Sequence, residues 1–191
     1  MLAPRLHKAG YMTSTDRILS SFLYLSLATI AGCGDGGFAT DPGESVLVDS
    51  ARSFALVSSG GGLVAPRPQG AACDPGVWTY TVHLDSSGFV WDRCDVAETG
   101  SDPANYARAT GSRTLSAAEL ATARSAARMV RVSGQNICGA DKPTLHMSVA
   151  SASASIVYGD DFYSCTKQDV AYVESASLDN LHAVLHPLVL P

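Results

Sequence analysis

The chain has 191 residues, 46% of them hydrophobic and 16% charged, with 13 Lys+Arg against 18 Asp+Glu and a formal net charge of −5. That balance fits a folded domain with a real core and excludes a disordered, weakly hydrophobic chain. It also excludes non-specific binding to nucleic acid or to an anionic membrane surface, since both need an excess of cations.

In chain order, the basic residues Arg5, Lys8 and Arg17, with Asp16 the one acid among them, precede a short apolar run from Ile18 to Ile30. At 13 residues the run suits the apolar region of a signal peptide and falls short of the roughly 20 that a membrane-spanning helix needs. No later segment is long and apolar enough to span. The run closes on Ile30-Ala31-Gly32-Cys33, where a small residue precedes a cysteine. This segment resembles the signal peptide of bacterial lipoproteins, with Ile30 where leucine is more usual; a start at Met12 gives a signal of 21 residues.

The resemblance implies that residues 1–32 are removed. It also implies that Cys33 becomes the N-terminus, carrying a thioether-linked diacylglycerol and an amide-linked acyl chain of the palmitate type. Several chains anchor stably where a single one binds marginally. The implied address is the cell envelope, at the outer membrane or the outer leaflet of the cytoplasmic membrane; Gly34 is no inner-membrane retention signal by the enterobacterial rule. Residues 32–37 also spell G-x-G-x-x-G. They lie between no strand and helix, as a dinucleotide loop requires, and they straddle the cleavage site.

From Cys33 to Pro191 the chain keeps 159 residues and a net charge of −7. Residues 33–44, rich in Gly and Asp, predict a flexible tether, and 45–191 a single domain. Val46–Val48 and Phe54–Val57 predict short strands, and residues 58–76, with Gly60-Gly61-Gly62 and Pro66-Arg67-Pro68, a loop. Trp78, Tyr80, Val82 and Leu84 then alternate with Val77, Thr79, Thr81 and His83, before the turn Asp85-Ser86-Ser87-Gly88 and the strand Phe89-Val90-Trp91. Period two and turn residues together predict a hairpin with Leu84 opposite Phe89, Val82 opposite Trp91, and an apolar core face that excludes His83.

Residues 97–113 are polar and marked by Gly and Pro, which predicts a loop. Ser116-Ala117-Ala118-Glu119 is a capping box opening a helix that ends near Val130, with Leu120, Ala123, Ala127 and Val130 as its apolar stripe. A second hairpin is predicted with Leu145 opposite Tyr158, Met147 opposite Ile156 and Val149 opposite Ala154. Val170–Val173 predicts a further strand. Ser177 is expected to cap a last helix with the stripe Leu178, Leu181, Leu185 and Leu188, which Pro187 ends near His186. Two hairpins and two one-sided helices predict an α+β fold, an antiparallel sheet with both helices on one face.

The five cysteines are an odd number. Lipidation of Cys33 leaves Cys73, Cys94, Cys138 and Cys165, an even set with three connectivities, and no Cys-x-x-Cys suggests zinc or thioredoxin chemistry. Cys138 and Cys165 share the centre of symmetry of the second predicted hairpin, which pairs them; Cys73–Cys94 follows by elimination.

Few residues carry chemistry. His182 and His186, four apart on the last helix, are weak metal candidates, because Ala183 stands where a zincin has its general-base Glu. Arg124, Arg128 and Arg131 form either a basic ridge for an anionic partner or a solvated helix face with cations near its C-terminus; the net charge favours the second. Tyr158-Gly159-Asp160-Asp161-Phe162-Tyr163 combines aromatics and carboxylates and suits a cation or sugar contact, or a hairpin exit. The segments Cys138–Pro143 and Asp160–Cys165 resemble those of small bacterial lipoproteins, which implies no activity.

No G-x-S-x-G elbow or phosphate loop is present, and no cofactor is expected. The expectation is a lipid-anchored, non-catalytic binding or structural domain whose partner, protein or glycan, is not nucleic acid. The alternatives are a hydrolase inhibitor using a disulfide-braced loop (59–72 or 95–113), or a hydrolase using His146, His182 or His186.

Overall fold

A computed structural model describes residues 37–61, 67–98, 100–135, 137, 139, 142–162 and 171–189. The strands are β1 (Ser53–Ser59), β2 (Val77–His83), β3 (Gly88–Val96), β4 (Tyr106–Thr114), β5 (Leu145–Ala150), β6 (Ser155–Asp160) and β7 (Tyr172–Val173). The helices are α1 (Ala117–Met129) and α2 (Ser175–Leu185), followed by a 3₁₀ turn, His186–Val189. The fold is α+β: one sheet in the order β4-β3-β2-β1-β5-β6-β7, antiparallel except for the parallel pair β6–β7, with both helices on one face.

The sheet's core face is built from two rows that cross five strands. One runs Phe89–Val82–Phe54–Val149–Ile156 and the other Trp91–Tyr80–Leu56–Met147–Tyr158. Period-two alternation puts these side chains on one side, and Ala123, Ala127 and Val130 of the first helix with Leu178, Leu181 and Leu185 of the second bury against them. Alanines on α1 let the helix sit close to its neighbours. Each buried aliphatic or aromatic side chain contributes about 1.5–3 kcal/mol relative to exposure.

Both predicted hairpins exist, with the predicted faces and a register shifted by two. Val82, not Leu84, faces Phe89, and Tyr80, not Val82, faces Trp91. Leu84 instead enters the turn, its N–H donating to Arg52 O at 2.7 Å, and Ser87 takes a positive φ of 57°. In the second hairpin Met147 faces Tyr158 and Val149 faces Ile156. That shift removes the symmetry argument for a Cys138–Cys165 bond; both cysteines lie outside the described residues, as does Cys33.

Four further expectations change. Val46–Val48 form no strand, and the backbone there makes an isolated bridge, Ser45 to Arg131. Residues 97–113 are not a loop: after the short 3₁₀ turn Pro103–Asn105, β4 pairs along its whole length with β3. It is a polar edge strand with Tyr106 alone fully buried, so the alternation of an apolar face is missing. This also removes 95–113 as a braced inhibitory loop. The described part of the 33–44 tether is docked: Ala39 is buried, its carbonyl accepts the Tyr158 hydroxyl at 3.0 Å, and Gly43 N–H donates to Val132 O at 2.8 Å. Finally, α2 begins at Ser175, so Ser177 lies in its first turn, where its hydroxyl donates to Glu174 O at 2.7 Å.

The capping box of α1 is present. Ser116 Oγ accepts from Glu119 N–H at 3.3 Å, and Glu119 Oε2 accepts from Ser116 N–H at 2.8 Å. Arg113 of β4 ties this end to the rest of the fold. It meets Glu119 Oε1 at 2.7 Å and donates through Nε to Leu188 O at 2.8 Å. The Arg113 guanidinium first, and the two Ser116 bonds after it, hold the Glu119 carboxyl down at about 2. On the opposite face of the sheet, a Cys73–Cys94 disulfide joins β3 to the loop before β2, with Cα atoms 5.5 Å apart.

Candidate functional site

The side chains with chemical capacity gather where α2 crosses β2. Alternation places Trp78 and Tyr80 on the core face of that strand, and Trp91, Arg93 and Asp95 on the same face of β3. The i,i+4 spacing sets His182 and His186 over them. Trp78 stacks on Tyr80 at 4.8 Å between ring centroids and on His182 at 4.5 Å, and the two imidazoles lie 5.3 Å apart. Tyr80 Oη and His186 Nδ1 are 2.9 Å apart. His186 is exposed, Trp78, Trp91 and His182 are half-buried, and the Tyr80 ring is buried. The result is an aromatic and imidazole shelf at the edge of the core.

One ion pair lies at the shelf, with Arg93 Nε 2.7 Å from Asp95 Oδ1, and the Asp179 carboxylate of α2 acts on His182. Burial pushes the Tyr80 phenol above its usual value, partly offset by the Arg93 guanidinium. The Tyr80 hydroxyl and His186 Nδ1 lie within hydrogen-bonding distance, with the donor set by the imidazole tautomer. His182 is held below the ordinary histidine value, by burial first and then by His186. The shelf is predominantly aromatic, suited to stacking and hydrogen bonding.

Trp91 is positioned by a glycine. Its indole lies across β4 so closely that a Cβ at Gly111 would be 2.3 Å from its Cζ2. Only a residue without a side chain lets that ring lie flat on the edge strand.

The structure brings His182 and His186 together, but into an aromatic stack, with Nδ1 of His186 engaged by Tyr80. Among the described residues no three His, Cys, Asp or Glu side chains are grouped to hold one metal ion. His146 projects to the other face of the sheet and joins neither histidine; burial lowers its pKa against the opposing pull of Asp160. No family model, curated protein or solved structure matches the chain.

The acidic, aromatic segment at the end of β6 is structural where it is described. Asp160 and Asp161 are buried, at 1% and 3% exposure, which removes them from a surface that contacts a cation or sugar. Asp160 Oδ2 lies 2.9 Å from Lys142 Nζ, which also approaches Asp179 Oδ1 at 3.6 Å, contacts Ser175 Oγ and sits 5.5 Å above the Phe162 ring. Asp161 accepts from Ser133 Oγ at 2.6 Å and from Ser175 N–H at 2.9 Å. Sequence reasoning missed Lys142 and Ser175, whose partners come from distant segments that no local spacing marks.

Proposed function

We propose that this chain is an extracytoplasmic lipoprotein, held at a membrane of the cell envelope by lipid on Cys33, and that its domain binds a partner rather than catalysing a reaction. The observation that carries the reading is the Cys73–Cys94 bond, because structural disulfides persist in oxidising compartments outside the cytoplasm. The lipoprotein-like segment ending at Cys33 agrees with it. The binding role rests on the half-exposed shelf of Trp78, His182 and Trp91. Large amphipathic rings offer contact area at low cost in conformational entropy.

Detergent phase separation of cell extracts tests the anchor. The wild-type chain is expected in the detergent-rich phase and the Cys33→Ala variant in the aqueous phase. A variant that still partitions into detergent contradicts lipid attachment at Cys33.

A further inference from the structure

Away from the shelf, a cleft of about 450 Å³ opens between α1 and the β2–β3 turn, lined by Ser87, Leu120, Ala121, Arg124, Ser125 and Arg128. That volume lies in the range of small-molecule sites. We propose that this cleft binds a phosphate group, held by the guanidinium groups of Arg124 and Arg128 and the hydroxyls of Ser87 and Ser125.

Charge at the cleft favours an anion. Arg124 and Arg128 are i,i+4 on one helix, where like charges repel. Their internal partners are weak: Arg124 Nη2 reaches Leu84 O at only 3.5 Å, and Arg128 Nη2 meets Asp49 at 2.7 Å, with the Asp49 side chain 94% exposed. An exposed pair of that kind contributes little and an anion readily displaces it. The C-terminal position of Arg128 on α1 accounts for its own charge through the helix dipole, but Arg124 lies a turn earlier and has no such explanation.

The donors at the cleft also suit phosphate. Guanidinium groups present forked N–H donors that match phosphate oxygens, and hydroxyls supply the remaining donors. Ser87 stands at φ 57°, a left-handed conformation that glycine adopts without strain. Ser87 lines the cleft in that conformation, which has a conformational cost for a residue other than glycine. Partly buried Leu120 and exposed Ala121 form the apolar part of the lining. Asp85 of the same turn is exposed and outside the lining.

A phosphate group can come from a soluble phosphomonoester or from the headgroup of an anionic lipid, and hydrogen–deuterium exchange of the full chain separates the two. One arm adds inorganic phosphate at constant ionic strength to the chain in zwitterionic micelles. The other compares the chain in phosphatidylcholine vesicles with and without phosphatidylglycerol. Saturable slowing of exchange over 84–88 and 120–128 with inorganic phosphate supports a soluble ligand. Slowing with phosphatidylglycerol alone supports a headgroup.

In either case Arg124→Gln is expected to raise the half-saturating concentration about tenfold, the loss of one charge-assisted hydrogen bond. Arg67→Gln, at an exposed residue outside the cleft, is expected to leave it unchanged. No slowing in either arm, or slowing equal in Arg124→Gln and wild type, overturns the proposal. The phosphate arm reads the cleft whether or not Cys33 is lipidated, so its failure is distinct from failure of the anchor.

Discussion

Asp161, at the end of β6, caps α2 from a distance: its Oδ1 accepts the backbone N–H of Ser175 at 2.9 Å, while Oδ2 accepts the Ser133 hydroxyl at 2.6 Å. The helix's own N-cap residue, Glu174, makes no side-chain capping bond. A carboxylate from the sheet therefore satisfies a free helix N–H and complements the positive end of the dipole. Asp161→Ala removes the cap and takes the acceptor from two partly buried donors. The expected loss is about 1–3 kcal/mol of unfolding free energy, measured by urea denaturation. Asp161→Asn keeps the Oδ1 acceptor and is expected to lose less. Equal losses in the two variants would mean that capping is not what the side chain does.

Acid is expected to destabilise the fold through its half-buried imidazoles. His182 has a folded-state pKa below the ordinary 6.5, chiefly because burial disfavours the charged ring, with His186 adding and Asp179 opposing. Between the lowered value and 6.5 the unfolded chain binds more protons than the folded one. Stability is then full above the unfolded value and is lost as pH falls through the folded one. His146 acts in the same sense. The urea midpoint is expected to fall from about pH 7.5 to about pH 5, and to fall less steeply in His182→Asn. The depressed carboxyl of Glu119, at about 2, titrates below that window.

Gly111→Ala tests how Trp91 is seated. The new methyl would lie 2.3 Å from Cζ2 and 2.7 Å from Cε2 of the indole, so the ring has to move. A changed near-ultraviolet dichroism and a red-shifted tryptophan emission are expected, with a stability loss of about 1–3 kcal/mol. Gly100→Ala, where a Cβ meets nothing within 4 Å, is the control and should leave both spectra unaltered.

The faces of the elements were legible in the sequence, and their registers were not. Period two assigns Tyr80, Val82 and Phe89 to the core whether Val82 pairs with Trp91 or with Phe89, because a slip of two leaves every side chain on its own face. What sets the register is a turn that takes in Leu84 and holds Ser87 at positive φ, neither of which the alternation encodes. The polar edge strand β4 escaped notice for the opposite reason: Arg108, Thr110, Ser112 and Thr114 are exposed and give no apolar rhythm.

At the site, the i,i+4 spacing placed His182 and His186 together, but the rings they meet, Trp78 and Tyr80, arrive from about a hundred residues away. The Cys73–Cys94 bond is the expected pair, but counting cysteines leaves three connectivities, and the hairpin symmetry that singled this one out by elimination does not hold in the observed register.

The most direct test of the central claim is the intact mass of the chain extracted from membranes, combined with fragmentation of its N-terminus. The expected chain begins at Cys33 and carries the added mass of a diacylglycerol and an acyl group on that residue. A chain that retains residues before Cys33, or that begins there without lipid, would contradict it.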